Sequence, residues 1–343
     1  MILKYSVIYS QILKMETSNP KYFGEIDVVK GIAILTVIWH HSIIKYPINM
    51  LDLPWCKYAM AINNTYFLVV FFLVSGYLFA NSRAKSFLNT VGDKANRLLV
   101  PYFSFELINI VLKLVAPELV NRKIESLWAY IEKVLLYGGE LWFVYCLFLI
   151  FLVWPNILQR VTKPVMCSIL LILCLLNITL PEGFLGGVFL NYKFIFYSVF
   201  FIIGYLIKDI DRNFLQDKYL FLIVCVMFIV FCVLFVNTII IPLVDKFFKC
   251  TIGCAFVWML SCKLLKYKGV SQPLAFVGRY SLPYYWLNGF SLVFARVLIV
   301  SILHFTYTPM IAICIFLICV VLETIGILVI RKLPYVRNMI GIR

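Results

Sequence analysis

The sequence predicts an all-α fold, a polytopic membrane helix bundle of about ten transmembrane helices with both termini in the cytoplasm. Three observations predict it. Of the 343 residues, 63% are hydrophobic and only 14% are charged. The apolar residues fall into runs of the length a helix needs to cross a bilayer, about 20 residues. The Lys and Arg residues behind the net charge of +15 gather in alternate links between those runs, which is the bias that orients membrane proteins. Membrane barrels show short alternating segments instead, so the long runs point to helices.

The first run, 26–48, follows a mixed polar leader and continues too far for the core of a cleavable signal peptide, so it acts as its own export signal. The second, 61–81, leads into Arg83, Lys85, Lys94 and Arg97, and the third, 98–117, starts from that basic side. The fourth, 140–160, opens at Glu140 and closes at Arg160 and Lys163. The fifth, 164–181, and sixth, 190–208, return the chain to Lys208, Arg212 and Lys218, where the seventh, 218–242, begins. The eighth, 246–266, ends among Lys263, Lys266, Lys268 and Arg279; the ninth is 280–303 and the tenth is 307–331. Lys4, Lys14 and Lys21 precede the first run, and Arg331, Lys332, Arg337 and Arg343 close the chain. The other links, around Lys45, Lys57, Arg122, Lys123, Lys133, Lys193, Lys246 and Lys249, are poorer in positive charge. Both ends therefore belong in the cytoplasm.

Residues 1–25 read as a cytoplasmic or interfacial leader starting at Met1 or Met15, 26–331 as one transmembrane domain, and 332–343 as a cytoplasmic tail. The basic residues form no soluble domain with interleaved aromatics, so nucleic acid is not an expected partner. The eleven cysteines lie scattered. Even Cys250, Cys254 and Cys262 lack metal-ligand spacing, and they read as small buried apolar side chains.

Lys30 and His41 carry the chemistry. They stand eleven residues apart within the first run, and eleven steps of about 100° bring both onto one helical face with a rise of about 16 Å. Asp27 shares that stripe, whereas Ile32, Leu35 and Ile38 lie mostly off it. The stripe is expected to face the bundle, because ionisable groups in hydrocarbon are costly. Lys30 is either a snorkelling anchor or a ligand for an anion. His41, beside His40, is either a hydrogen-bonded packing residue or a base poised near neutral pH. His304 reads as a solvated loop residue. Glu140 and Trp142 open the fourth span from the outer side, and Glu106, Arg296 and Glu323 are buried charges whose pairing, with Lys113 or with one another, stays open.

Asp27-x-x-Lys30-Gly31-Ile32 with His41, then Phe71-Phe-Leu-Val-Ser75-Gly76-Tyr77-Leu78, Arg97-Leu-Leu-Val-Pro101-Tyr102, Leu141-Trp142-Phe143 and Val277-Gly278-Arg279-Tyr280-Ser281-Leu282 occur in that order. Together they resemble the membrane acyltransferase-3 family. The resemblance implies an O-acyltransferase that takes an acyl group, most commonly acetyl, from cytoplasmic acyl-CoA to a glycan or lipid-linked saccharide beyond the plasma membrane, with no bound cofactor or metal. It implies that His41 is catalytic and that Lys30 stands where the family has Arg or Lys, on the donor side. Arg97 and Ser75 are the further donor candidates, Glu140 is expected either to orient His41 or to bind an acceptor sugar beside the aromatic face of Trp142, and Asn288 is a candidate hydrogen-bond partner of the acceptor. The chain departs from the family at Tyr284-Tyr285-Trp286-Leu287-Asn288, where a histidine often follows the tyrosines. About ten spans with internal charges also fit a second class, an exporter or flippase of a lipid-linked or polymeric glycan, although no inverted repeat is evident.

Overall fold

The computed structural model describes residues 24–44, 48–82, 86–115, 117, 124, 126–180, 189, 191–234 and 242–333. The leader up to residue 23, Lys45, Arg83, Lys85, Arg122, Lys123, Arg337 and Arg343 lie outside the described residues. The described chain is all-α. Its helices are α1 (Gly24–Ser42), α2 (Pro54–Asn63), α3 (Val69–Ala80), α4 (Phe87–Val115), α5 (Leu127–Tyr137), α6 (Trp142–Leu158), α7 (Lys163–Thr179), α8 (Asn191–Leu206), α9 (Arg212–Gln216), α10 (Lys218–Met227), α11 (Pro242–Leu264), α12 (Lys268–Arg279), α13 (Ser281–Ile302) and α14 (Thr308–Ile330).

Each of the ten apolar runs contains a helix. By length and composition, four of the described helices can cross a bilayer: α4, α11 from Val244, α13 and α14. The pair α5 and α6, bent by 40° at their junction, makes a fifth if it is one span. This is a membrane-embedded, multi-pass architecture.

At the centre lies α1. Ile26, Val28, Val29, Ala33, Ile34, Val37 and Ile38 are each at most 2% exposed, so the helix is buried on nearly all faces rather than along one inward stripe. A helix apolar all round needs neighbours all round, and α2, α3, α11, α12, α13 and α14 supply them. Glu25 and Asp27 in its first turn suit the positive end of the helix dipole.

Two close approaches between helices fix the frame. Gly31 of α1 and Gly278 of α12 lie backbone to backbone: a Cβ on Gly278 would stand 2.7 Å from the Gly31 amide nitrogen. Gly76 of α3 and Gly204 of α8 repeat the device, since a Cβ on either would stand 2.8 Å from a carbonyl carbon of the facing helix. Small residues let membrane helices approach this closely.

Three features depart from the apolar runs. The second run breaks into α2 and α3 around turns at 64–68, where the Thr65 hydroxyl donates to the Ile62 carbonyl at 2.7 Å. The third begins earlier than its apolar residues, at Phe87, because Ser86 caps the helix by accepting from the Asn89 amide at 3.3 Å. A π-helical turn at Ala95–Leu99 then precedes Pro101, whose missing N–H and bulky ring disturb the regular ladder. Finally α5 and α12 occupy segments that read as links, since their composition is too mixed for a membrane run.

Candidate active site

A cavity of about 420 Å³ opens between α1, α3, α4, α6, α12 and α13. On α1 its wall is Lys30, Ile34 and Val37. These positions are spaced by four and three residues, the period of a single helical face, and the next residue of that series is His41. The cavity thus follows the Lys30–His41 face and ends, on α1, one turn before the imidazole. Val37, Leu68 and Phe71 line the end nearest the histidines, because Phe67 next to Leu68 stacks on His40 with ring centroids 4.7 Å apart.

The mouth at the other end is basic. Lys30 Nζ lies 2.7 Å from the Asp27 carboxylate, and Arg279 Nε approaches the other oxygen of that carboxylate at 4.0 Å. Lys94 lines the same mouth with its ammonium 3.8 Å from the centre of the Phe151 ring. Arg97, Ser75, Ser82, Thr90, Ser281 and one further carboxylate, Asp93, make up the rest of the polar wall, while Phe143, Leu147 and Phe151 keep the interior apolar. The three expected donor residues, Lys30, Ser75 and Arg97, therefore line one cavity although they come from three helices. Arg83 and Lys85, which the sequence adds to this mouth, lie outside the described residues.

His41, the penultimate residue of α1, is exposed and is not part of the cavity wall. His40 meets it edge to face, with ring centroids 5.6 Å apart and planes at 83°. The Nδ1 of His40 is buried without a hydrogen-bond partner among the described residues. The stack of His40 on Phe67 is a long-range contact with no local signal in the sequence.

The expected acceptor residues divide between two places. Glu140 Oε1 receives Lys113 and Lys133, each at 3.0 Å, and no described contact joins it to His41. Lys113 thus pairs with Glu140 and not with Glu106. The Glu106 carboxylate, 1% exposed, instead accepts the backbone amides of Glu140 and Leu141 at 2.8 and 2.9 Å and the Tyr130 hydroxyl at 3.0 Å. It supplies from a distance the cap that α6 lacks at its own first turn. The bend that permits this is made by Gly138 and Gly139, with φ of 76° and 58°, and a Cβ on Gly139 would stand 2.8 Å from the Glu106 carboxyl carbon.

Trp142, positioned by that cap, carries the Lys193 ammonium 3.7 Å from its ring centre, so a cation covers one of its faces. Asn288 lies elsewhere, buried between α13 and α14, where its amide donates to Glu323 Oε1 at 3.0 Å and the Ser291 hydroxyl donates to the same oxygen at 2.5 Å. His304 is exposed in the loop before α14, and Cys250, Cys254 and Cys262 are buried.

Sequence reasoning missed Arg279 and Ser281 as members of the cavity wall, although both sit in the Val277–Leu282 motif. A family model described as an acyltransferase domain matches residues 23–328. No curated protein and no solved structure matches the chain.

Proposed function

This chain belongs to the membrane acyltransferase-3 family, and from that premise we propose that it transfers an acyl group, acetyl by expectation, from cytoplasmic acyl-CoA to a hydroxyl of a glycan outside the plasma membrane. The observation that carries the proposal is the cavity wall Lys30–Ile34–Val37, which ends one turn short of His41. Its basic mouth suits the phosphates of CoA, which arginine and lysine bind by charge-assisted hydrogen bonds. Its apolar interior suits the pantetheine arm, which brings the thioester toward the histidine.

His41 is the general base of this reaction. It takes the proton of the acceptor hydroxyl as that oxygen attacks the thioester carbonyl carbon; the carbon–sulfur bond breaks, and the CoA sulfur leaves with a proton returned by the imidazolium. Lys30, about 16 Å of helix away, acts on the donor and not on the imidazole. Glu140 and Trp142 belong to the acceptor side, and Asn288 serves the acceptor from its separate place beside Glu323. About ten crossings, with both termini and the basic mouth in the cytoplasm, is the topology that this route requires.

Mass spectrometry of surface glycans from a deletion strain and its parent tests the reaction, the acyl mass and the acceptor together. The glycan of the deletion strain is expected to reach the surface without its ester. An intact ester with glycan retained inside the cell would mark an exporter and overturn the reading.

A further inference from the structure

The charges at the histidine end of the bundle are not all balanced. Lys113 and Lys133 share Glu140, and Lys249 pairs with Asp245 at 2.7 Å. Lys193 on α8 and Lys246 on α11 meet no carboxylate among the described residues. Each is held on aromatic faces instead: Lys193 over Trp142 at 3.7 Å, and Lys246 over Phe196 at 4.5 Å and Tyr192 at 5.8 Å. Both bear on the same stretch of α8, because the rings under Lys246, Tyr192 and Phe196, stand one and three residues from Lys193.

A chain of ring contacts places this pair at the His41 end. His40 stacks on Phe67 at 4.7 Å; five residues further on, in α3, Phe72 stacks on Tyr197 at 4.3 Å, and Tyr197 lies 5.8 Å from Trp142. Lys193 is one turn from Tyr197 on α8, on the side away from the cavity mouth. Cation–π contacts fix each ammonium without neutralising it. Lys193 is half-buried and Lys246 exposed, so two like charges without a carboxylate partner among the described residues stand open to an anion that bridges them.

We propose that Lys193 and Lys246 bind an anionic group of the acceptor, a carboxylate or a phosphate, so that the substrate is an acidic glycan rather than a neutral one. This rests on the acyl-transfer reading and adds the substrate class to it.

The test uses the full-length chain in nanodiscs and three probes: oligogalacturonate, its neutral methyl ester, and oligo(glycerol phosphate). Binding is followed by thermophoresis. At least one charged probe is expected to bind tenfold or more tighter than the ester, with the preference weakening as salt rises. Tight binding of oligogalacturonate alone assigns a carboxylate, of the phosphate oligomer alone a phosphodiester, and of both a site that reads charge only. The Lys193→Gln/Lys246→Gln double variant is expected to lose the preference and the Lys193→Arg/Lys246→Arg double variant to keep it. Equal binding of charged and neutral probes by the native chain, or a preference unchanged in the Gln variant, overturns the proposal. His41→Ala is expected to keep the preference while losing transfer. If ester formation proves independent of His41 but the preference stands, the catalytic reading fails and the anion site does not.

Discussion

Gly31 and Gly278 press α1 and α12 together so closely that neither position has room for a Cβ beside the facing backbone. That contact sets Asp27 against Arg279 and shapes the mouth of the cavity one residue away from Lys30. Gly278→Ala is expected to lower stability by about 1–3 kcal/mol, the usual cost of overpacking, and to weaken acyl-CoA binding with it. Gly92→Ala is the contrast, because a Cβ there meets nothing within 4 Å and alanine favours the helix. Thermal unfolding of both variants in detergent checks the difference; equal midpoints would show that the contact does not matter.

Lys30 and Asp27 form the pair nearest the proposed phosphate site. Lys30→Ala is expected to raise KM for acyl-CoA about tenfold, a loss of about 1.4 kcal/mol, with kcat largely kept. Lys30→Arg retains charge and is expected to keep most of the donor affinity. Steady-state kinetics on membranes with varied acyl-CoA separates the two parameters, and a collapse of kcat in Lys30→Arg would reject a role confined to charge.

Val37 is the α1 residue of the cavity wall nearest His41 in sequence. Val37→Phe is expected to slow transfer at least tenfold while donor binding at the mouth is preserved, because the added ring occupies the route of the thioester toward His41. Acyl-CoA binding measured beside transfer rate checks this. Unchanged transfer would mean that the donor reaches His41 by another path.

Glu106 organises the α5–α6 bend. Glu106→Ala leaves the amides of Glu140 and Leu141 without their acceptor, at a cost of about 1–3 kcal/mol for each buried donor. Glu106→Gln keeps an oxygen for both amides, and the Tyr130 hydroxyl can turn to accept from the new amide, so its loss is expected to be much smaller. Unfolding midpoints of the two variants in detergent measure the gap.

How far the sequence reveals this arrangement depends on the range of each interaction. The α1 stripe is legible because helical period alone places Asp27, Lys30 and His41 on one face, and the cavity follows that face. The burial of α1 on its other faces is not legible: Ile32 and Leu35 look the same in sequence whether they meet lipid or another helix. Ser75 and Arg97 become donor-site candidates only through the order of family motifs, since nothing local says that α3 and α4 converge on α1. The helices α5 and α12 mix polar and apolar residues too evenly to read as spans and too quietly to read as structure. The partners of Glu106 are backbone amides 34 and 35 residues away, which no residue pattern encodes.

The most direct measurement is the ester content of surface glycan in a deletion strain supplied with either the native chain or His41→Ala at equal membrane abundance. The native chain is expected to restore the ester and His41→Ala to leave the glycan bare, while the variant still binds acyl-CoA. Full restoration of the ester by His41→Ala would contradict the account at its centre.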